Sequence, residues 1–282
     1  MKNTIGINLW NWMITLGPDA ASLIPRIRAM GFDAVEIPLG TDDIDITSLR
    51  DAVLDAELEV SFCVSMGKGY DLSSFDSKSR QCAENHLRRC CCCAGEFGGG
   101  LICGPIYTGG GKVHLLNADD RAREWSHAVE GLRRIADYAS DFGVRLAIEP
   151  INRYRTSVIN TVEQALDMTE QIARSNVGIL FDSYQANIEE ADPAAALEAA
   201  LLAKKLFHFH SCENHRGVPG TGHVPWNAYF SLLKKHHYNG HITIEAFMPG
   251  GLDAGWIPPK MDPDQRARAG LQFLKKCEEV YT

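Results

Sequence analysis

Eight short apolar runs, each followed by a stretch of helical spacing, constrain this chain more than any other feature. The runs are TIGINL (4–9), AVEI (34–37), EVSFCV (59–64), GLICG (100–104), VRLAIE (144–149), VGILFD (177–182), LFHFH (206–210) and ITIEAF (242–247). Apolar residues then recur at three- and four-residue intervals over 19–30, 46–56, 77–97, 119–141, 161–174, 192–203, 226–237 and 264–280, as Val129, Leu132, Ile135 and Ala136 do. That spacing lines one face of a helix. Strands alternating with helices predict a parallel sheet with crossover helices, and eight such units close into an α/β fold, the (β/α)8 TIM barrel. The length of 282 residues suits one such barrel, and no linker or charge block divides 1–282, so a single domain is expected. An open doubly wound sheet would need a glycine-rich phosphate turn after its first strand. Here NLWNWMITLGP follows instead, the glycines at 98–100 precede a strand, and those at 109–111 lead into KVHLLNADD with no helix immediately after them.

A net charge of −8 disfavours nucleic acid as the partner, because a phosphate backbone is held by clustered Lys and Arg. No run reaches the roughly 18 apolar residues of a membrane span, and MKNTIGINLWNW lacks the parts of a signal peptide. The expected partner is a small molecule. Four of the nine cysteines are consecutive at 90–93, where neighbours on a helix point in different directions and cannot share one ion. They read as structural thiols of a reducing, cytoplasmic location.

In a barrel of this kind, functional side chains come from the C-terminal strand ends and the loops beyond them. Strand five ends on Glu149, strand six on Asp182 and strand seven on His210, and strand eight carries Glu245 near its end. Three carboxylates and an imidazole converging on one mouth suit a divalent cation such as Mn²⁺, Co²⁺ or Mg²⁺, whereas a structural zinc site would favour sulfur. Such an ion can chelate two adjacent oxygens of a hydroxy-ketone and stabilise the enediolate left by deprotonation. Inversion then needs two bases, for which Glu149 and Glu245 are the candidates. His208 lies on the same strand face as His210 and is expected to give structural support.

At these positions the chain resembles the ketose 3-epimerases (D-tagatose and D-psicose 3-epimerases) of the xylose isomerase-like barrel superfamily, often described as sugar phosphate isomerase/epimerase. The resemblance runs through GFDAVEIPLG, AIEPINRY, FDSYQANIEE, HFHSCENHRGVPGTGHVPW, ITIEAFM and RARAGLQFLKK. It implies that Glu149, Asp182, His210 and Glu245 hold the metal, with Mn²⁺ foremost, and that Glu149 and Glu245 double as the acid/base pair. It also implies that Arg216 of ENHR contacts the substrate and that the protein is a homodimer or homotetramer. Two positions depart from the pattern: Arg155 stands where these enzymes usually have Glu, and Gln185 where they have His. Both family residues handle the substrate, so the departures point to altered recognition and, through the planar donor fork of Arg155, to an anionic group. The competing expectation is that Arg155 turns outward or pairs with Glu189 or Glu190.

Trp10 and Trp12, after strand one, are candidates for the floor of a sugar pocket. Lys68, Tyr107 and Lys112 are expected to face solvent. The stretch MPGGLDAGWIPPKMD is long enough for a lid or a subunit contact. Within the superfamily the alternatives are an aldose–ketose isomerase, a keto-glycoside lyase and an inactive sugar-binding barrel. An apurinic-site endonuclease of the same barrel would need more His ligands and a basic surface.

Overall fold

The computed structural model describes residues 3–40, 45–251 and 258–281. Eight parallel strands form a closed barrel in sequence order, as the eight runs predict. They are β1 (Thr4–Asn8), β2 (Ala34–Pro38), β3 (Glu59–Cys63), β4 (Gly100–Gly104), β5 (Val144–Ile148), β6 (Val177–Asp182), β7 (Leu206–Ser211) and β8 (His241–Ile244). The helices are α1 (Ala20–Met30), α2 (Ile46–Asp55), α3 (Ser77–Glu96), α4 (Ala118–Ser140), α5 (Val162–Ile172), α6 (Ser183–Glu189), α7 (Pro193–Leu202), α8 (Trp226–Lys235) and α9 (Pro263–Tyr281).

Two cores result. The larger lies between the strands and the helix ring, where Ile5, Ile37, Phe62, Ile148, Phe181 and Phe209 meet the apolar faces of the helices. A smaller one fills the barrel with Trp10, Cys63, Leu101, Cys103, Ala147, Leu180 and Phe247. Polar side chains share that interior in register. Asn8 pairs with Glu36 and Glu36 with Ser61, while across the barrel Asp182 pairs with His210 and His210 with Thr243.

The seven-residue α6 has no counterpart among the predicted helices, and two features create it. Asp182 caps its N-terminus by accepting from the Tyr184 amide at 2.8 Å, and Gln185 ties it back to the β5 loop. A short pattern of this kind directly after a strand reads as loop. Among the described residues no helix is long and apolar enough to cross a membrane. The cysteines at 90–93 lie on α3, and all nine thiols are free. Of the expected lid segment, residues 252–257, with Trp256, lie outside the described residues.

Candidate metal and sugar site

Beyond the C-terminal strand ends the chain encloses a pocket of about 530 Å³, open mouth included, lined by Glu149, Glu245, Arg216, Arg155, Gln185 and Trp10 among others. Glu149 and Glu245 are each the first residue after their strands, placed by backbone bonds from Glu149 N to Gly104 O (3.0 Å) and from Glu245 N to Ser211 O (3.3 Å). The close pass of β4 at that point requires glycine: a Cβ at Gly104, whose φ is +121°, would lie 2.3 Å from Val64 O.

Asp182, His210, Glu149 and Glu245 are all buried. Asp182 spends Oδ1 on the α6 cap, while its buried Oδ2 accepts no hydrogen bond; the buried Nδ1 of His210 is likewise without one. His210 Nδ1 lies 3.5 Å from Glu245 Oε1, and the Arg216 guanidinium lies 2.7 Å from Glu245 Oε2 and 3.5 Å from Asp182 Oδ2. Orphaned buried atoms of this type are costly unless something not in the protein satisfies them.

The charges follow. Burial, then the neighbouring Glu245 and Asp182, push the Glu149 carboxyl well above its ordinary value, and burial with Glu245 pushes Asp182 up to about 7. Burial also raises Glu245, but Arg216 and His210 outweigh it and hold that carboxyl below its usual range. Crowding and burial thus favour the protonated form of Glu149 and Asp182, while Arg216 favours the ionised form of Glu245.

Beneath lies a second cluster. Glu36, Cys103, His208 and His210 each offer one potential metal-ligand atom, and these atoms lie within 4.8 Å of one another. The carboxylate of Glu36 is saturated, however. Oε1 accepts from Asn8 Nδ2 (2.8 Å) and faces His210 Nε2 (2.9 Å), and Oε2 accepts from Ser61 Oγ (2.9 Å) and Cys103 Sγ (3.4 Å) and lies 2.8 Å from His208 Nε2. Burial would raise Glu36, yet His210 and His208 hold it well below the carboxylate range. With Glu36 on Nε2, His210 turns Nδ1 toward Glu245. The sequence reading assigned no role to Glu36; the signal was a lone carboxylate inside the apolar run AVEIP, on a strand buried throughout. His208 supports this network, as expected.

Arg216 reaches the site from the left-handed region (φ +58°), its guanidinium 3.7 Å over the Tyr184 ring. Its loop is folded by another unassigned acid, the buried Glu213, which accepts from Gly220 N (3.0 Å), Val224 N (3.0 Å) and Trp226 Nε1 (2.8 Å). Gly222 is needed where it passes, since a Cβ there would meet Glu213 Oε1 at 2.6 Å. The motif SCENHRGVPGTGHVPW is therefore a loop wound around one carboxylate.

Trp10 stacks on Phe247 with ring centroids 5.3 Å apart and lines the pocket. Trp12 does not: its indole turns to α9, where Nε1 donates to Asp264 at 2.8 Å. Gln185 lines the pocket while its Oε1 accepts from Asn152 N and Nδ2 at 2.9 and 2.8 Å. Arg155 lines the pocket, and of the two acids suggested for it Glu189 lies 3.0 Å from Arg153 and Glu190 accepts from the Val162 amide at 2.7 Å. Two expectations of solvent exposure fail. Tyr107 is fully buried and donates to Ile159 O at 3.0 Å, and Lys112 is an internal cation held by Asp71 (3.0 Å), Glu124 (2.8 Å) and Ser73 (2.7 Å). Lys68 is exposed.

Residues 24–277 match the family model described as Xylose isomerase-like TIM barrel. The chain is similar to a ketose 3-epimerase of Arthrobacter globiformis, 34% identical over 225 residues, which are 79% of this chain and 76% of that protein. It is 28% identical to the 3-dehydro-D-guloside 4-epimerase of Escherichia coli (strain K12), covering 89% of this chain and 92% of that one. Among solved structures, a D-allulose 3-epimerase from Methylomonas sp. superposes with a TM-score of 0.89 at 29% identity, covering 98% of each chain.

Proposed function

Because the chain belongs to the ketose 3-epimerase family within the xylose isomerase-like TIM barrel superfamily, we propose that it inverts C3 of a ketose or ketose derivative by metal-dependent proton transfer through an enediolate. The observation that carries this reading is the pair of orphaned ligand atoms, Asp182 Oδ2 and His210 Nδ1, buried beside Glu149 and Glu245. We read Glu149, Asp182, His210 and Glu245 as the metal ligands and the ion as Mn²⁺, with Co²⁺ or Mg²⁺ as alternatives; oxygen donors with one imidazole match that choice. The saturated Glu36 is then a brace that fixes the orientation of His210, the usual arrangement of a carboxylate behind a ligating histidine. When bound, the ion supplies Lewis-acid stabilisation of negative charge on the substrate oxygens.

Glu149 and Glu245 move the proton, one removing it from C3 and the other returning it on the opposite face. Without a cation Glu149 is pushed toward the acid and Glu245 toward the ionised form, whereas ligation would require both to be carboxylates. Arg216, anchored on Glu245 and Tyr184, faces substrate oxygens, and Trp10 with Phe247 forms an apolar wall for the sugar ring. Gln185 is a further contact. Similarity to a 4-epimerase of a keto-glycoside supports including ketose derivatives. The reading extends to one barrel domain over 1–282, a homodimer or homotetramer, and a cytoplasmic location, which nine free thiols support.

The test is incubation of the Mn²⁺-loaded protein with ketoses in D2O, followed by NMR. Deuterium at C3 with inverted product is the expected result. Incorporation at C1 or C2 with aldose formation would replace the assignment by isomerase, and release of an aglycone by lyase. Absence of exchange despite metal and sugar binding would replace it by a binding role.

A further inference from the structure

Glu149 and Asp182 are each followed, three residues on, by a buried amide side chain, Asn152 in the loop after β5 and Gln185 in the first turn of α6. The two amides interlock, and the backbone settles which end of each is which. Tyr154 N donates to Asn152 Oδ1 at 3.1 Å, so the other end of Asn152 is its Nδ2 donor. That Nδ2 and the backbone N of Asn152 both donate to Gln185 Oε1, at 2.8 and 2.9 Å. A backbone N–H can only donate, so neither amide can be turned over without setting donor against donor.

With both lone pairs of Oε1 engaged, Gln185 has nothing left to accept with. Its Nε2 is the remaining polar atom, and it makes no hydrogen bond among the described residues. Nor is it one of the buried atoms left without a partner, so it keeps a path to solvent although the residue is only 4% exposed. Gln185 lines the pocket with Glu149, Glu245 and Arg216, and that pocket supplies the path. The wall there offers an N–H donor and no acceptor. It complements an oxygen that receives a hydrogen bond, a carbonyl or a hydroxyl lone pair, and gives no partner to a hydroxyl that must donate. Unlike the histidine usual at this position, an amide has no proton to gain or lose, so its polarity follows from Asn152.

We propose that Asn152 is a positioning residue: it fixes Gln185 as a donor-only contact for an acceptor oxygen of the sugar, and so sets the polarity of the pocket wall on the α6 side. This rests on the epimerase reading and deepens it. The experiment measures C3 exchange of D-fructose, D-psicose and D-tagatose in D2O at saturating Mn²⁺, with Mn²⁺ affinity titrated separately. Gln185→Glu keeps one oxygen for the two Asn152 donors and turns a second oxygen to the pocket. KM should rise about tenfold or more, with the melting temperature maintained. Asn152→Ala should raise KM about threefold or more in the parent and add nothing in Gln185→Met, although it lowers the melting temperature in both. A merely structural Asn152 would move KM alike in both backgrounds. In the metal-free parent, nitrogen-15 NMR should show the Gln185 side-chain amide exchanging with water about tenfold faster than that of Asn152, each assigned by its absence from the corresponding variant.

An unchanged KM in Gln185→Glu, an equal effect of Asn152→Ala in both backgrounds, or the reverse order of amide exchange would overturn the proposal. Should Asn152→Ala not fold by circular dichroism, Gln185→Glu and the amide exchange decide without it. Should none of the three sugars exchange at C3, the epimerase reading fails on its own. Calorimetric binding of the same sugars to the parent and Gln185→Glu then decides, since equal affinity, or no binding by either, removes the donor contact.

Discussion

Two rows of polar side chains face each other inside the barrel, and they are satisfied to different degrees. On β1 to β3, Asn8, Glu36 and Ser61 stand side by side in register, and both Glu36 oxygens are occupied. On β6 to β8, Asp182, His210 and Thr243 stand in register in the same way, yet Asp182 Oδ2, His210 Nδ1 and Thr243 Oγ1 are buried without hydrogen-bond partners. The first row is complete as a piece of protein and the second is not. On the proposed function chemistry belongs to the incomplete row, because a buried group without a hydrogen bond is tolerated where a ligand completes it. The complete row orients it.

The sharpest way to break this contrast is to remove a proton carrier. Glu149→Gln is expected to lower C3 exchange at saturating Mn²⁺ by about a thousandfold or more. The melting temperature of the metal-free protein should not fall, since the amide resembles the protonated acid that burial favours there. A concurrent loss of stability would mean that Glu149 is structural.

Glu36→Gln disturbs the complete row instead. It should weaken Mn²⁺ binding by about 10- to 100-fold, with exchange largely recovered at high Mn²⁺. Activity lost at every metal concentration would make Glu36 a participant rather than a brace.

Lys112→Met tests whether Lys112 fastens the loops after β3 and β4. Removing a cation from between Asp71 and Glu124 should cost about 3 kcal/mol in urea unfolding, as loss of one partner from a buried pair does. A change within about 0.5 kcal/mol, the usual range for surface substitutions, would restore the solvent-exposed reading of Lys112.

A pH-dependent effect is expected from Asp182→Asn in the metal-free protein. The folded Asp182 holds its proton up to about 7 against an ordinary value of 3.8, so the folded state binds more protons than the unfolded one between those limits. That stabilising contribution is fully present below pH 3.8 and fades as pH rises toward 7. The melting temperature of the parent relative to Asp182→Asn should therefore fall through that window, and a flat difference would exclude the shift.

The smallest effect lies away from both rows. Thr161→Ala, which removes half of the capping box with Gln164, should cost about 1 kcal/mol and leave exchange unaltered.

Asp182 and His210 of the incomplete row, with Glu149 and Glu245 near them, were legible from the amino-acid order because they stand at or next to strand ends, where a polar residue closing an apolar run stands out; Thr243 gave no such signal. The eight strands were legible from their apolar runs, each within one residue at its ends except the last, expected over 242–247 and found at His241–Ile244. The complete row was not legible, because Glu36 meets its two histidines 172 and 174 positions away, a pairing that only barrel closure creates. Lys112 was misread for a related reason. A lone lysine in a glycine-rich loop reads as solvated, and its three partners come from a loop and a helix on either side. The helix α6 was hidden similarly, since it depends on contacts between consecutive loops.

Asp182 does two jobs with one carboxylate, capping α6 with Oδ1 and leaving Oδ2 without a hydrogen bond beside Arg216. Asparagine caps a helix about as well as aspartate but brings no charge to a cation. A lineage of this barrel could therefore lose its reaction by one amide substitution while the helix start, and with it the fold, went unpunished. Barrels of this architecture should shed metal chemistry more readily than they shed shape.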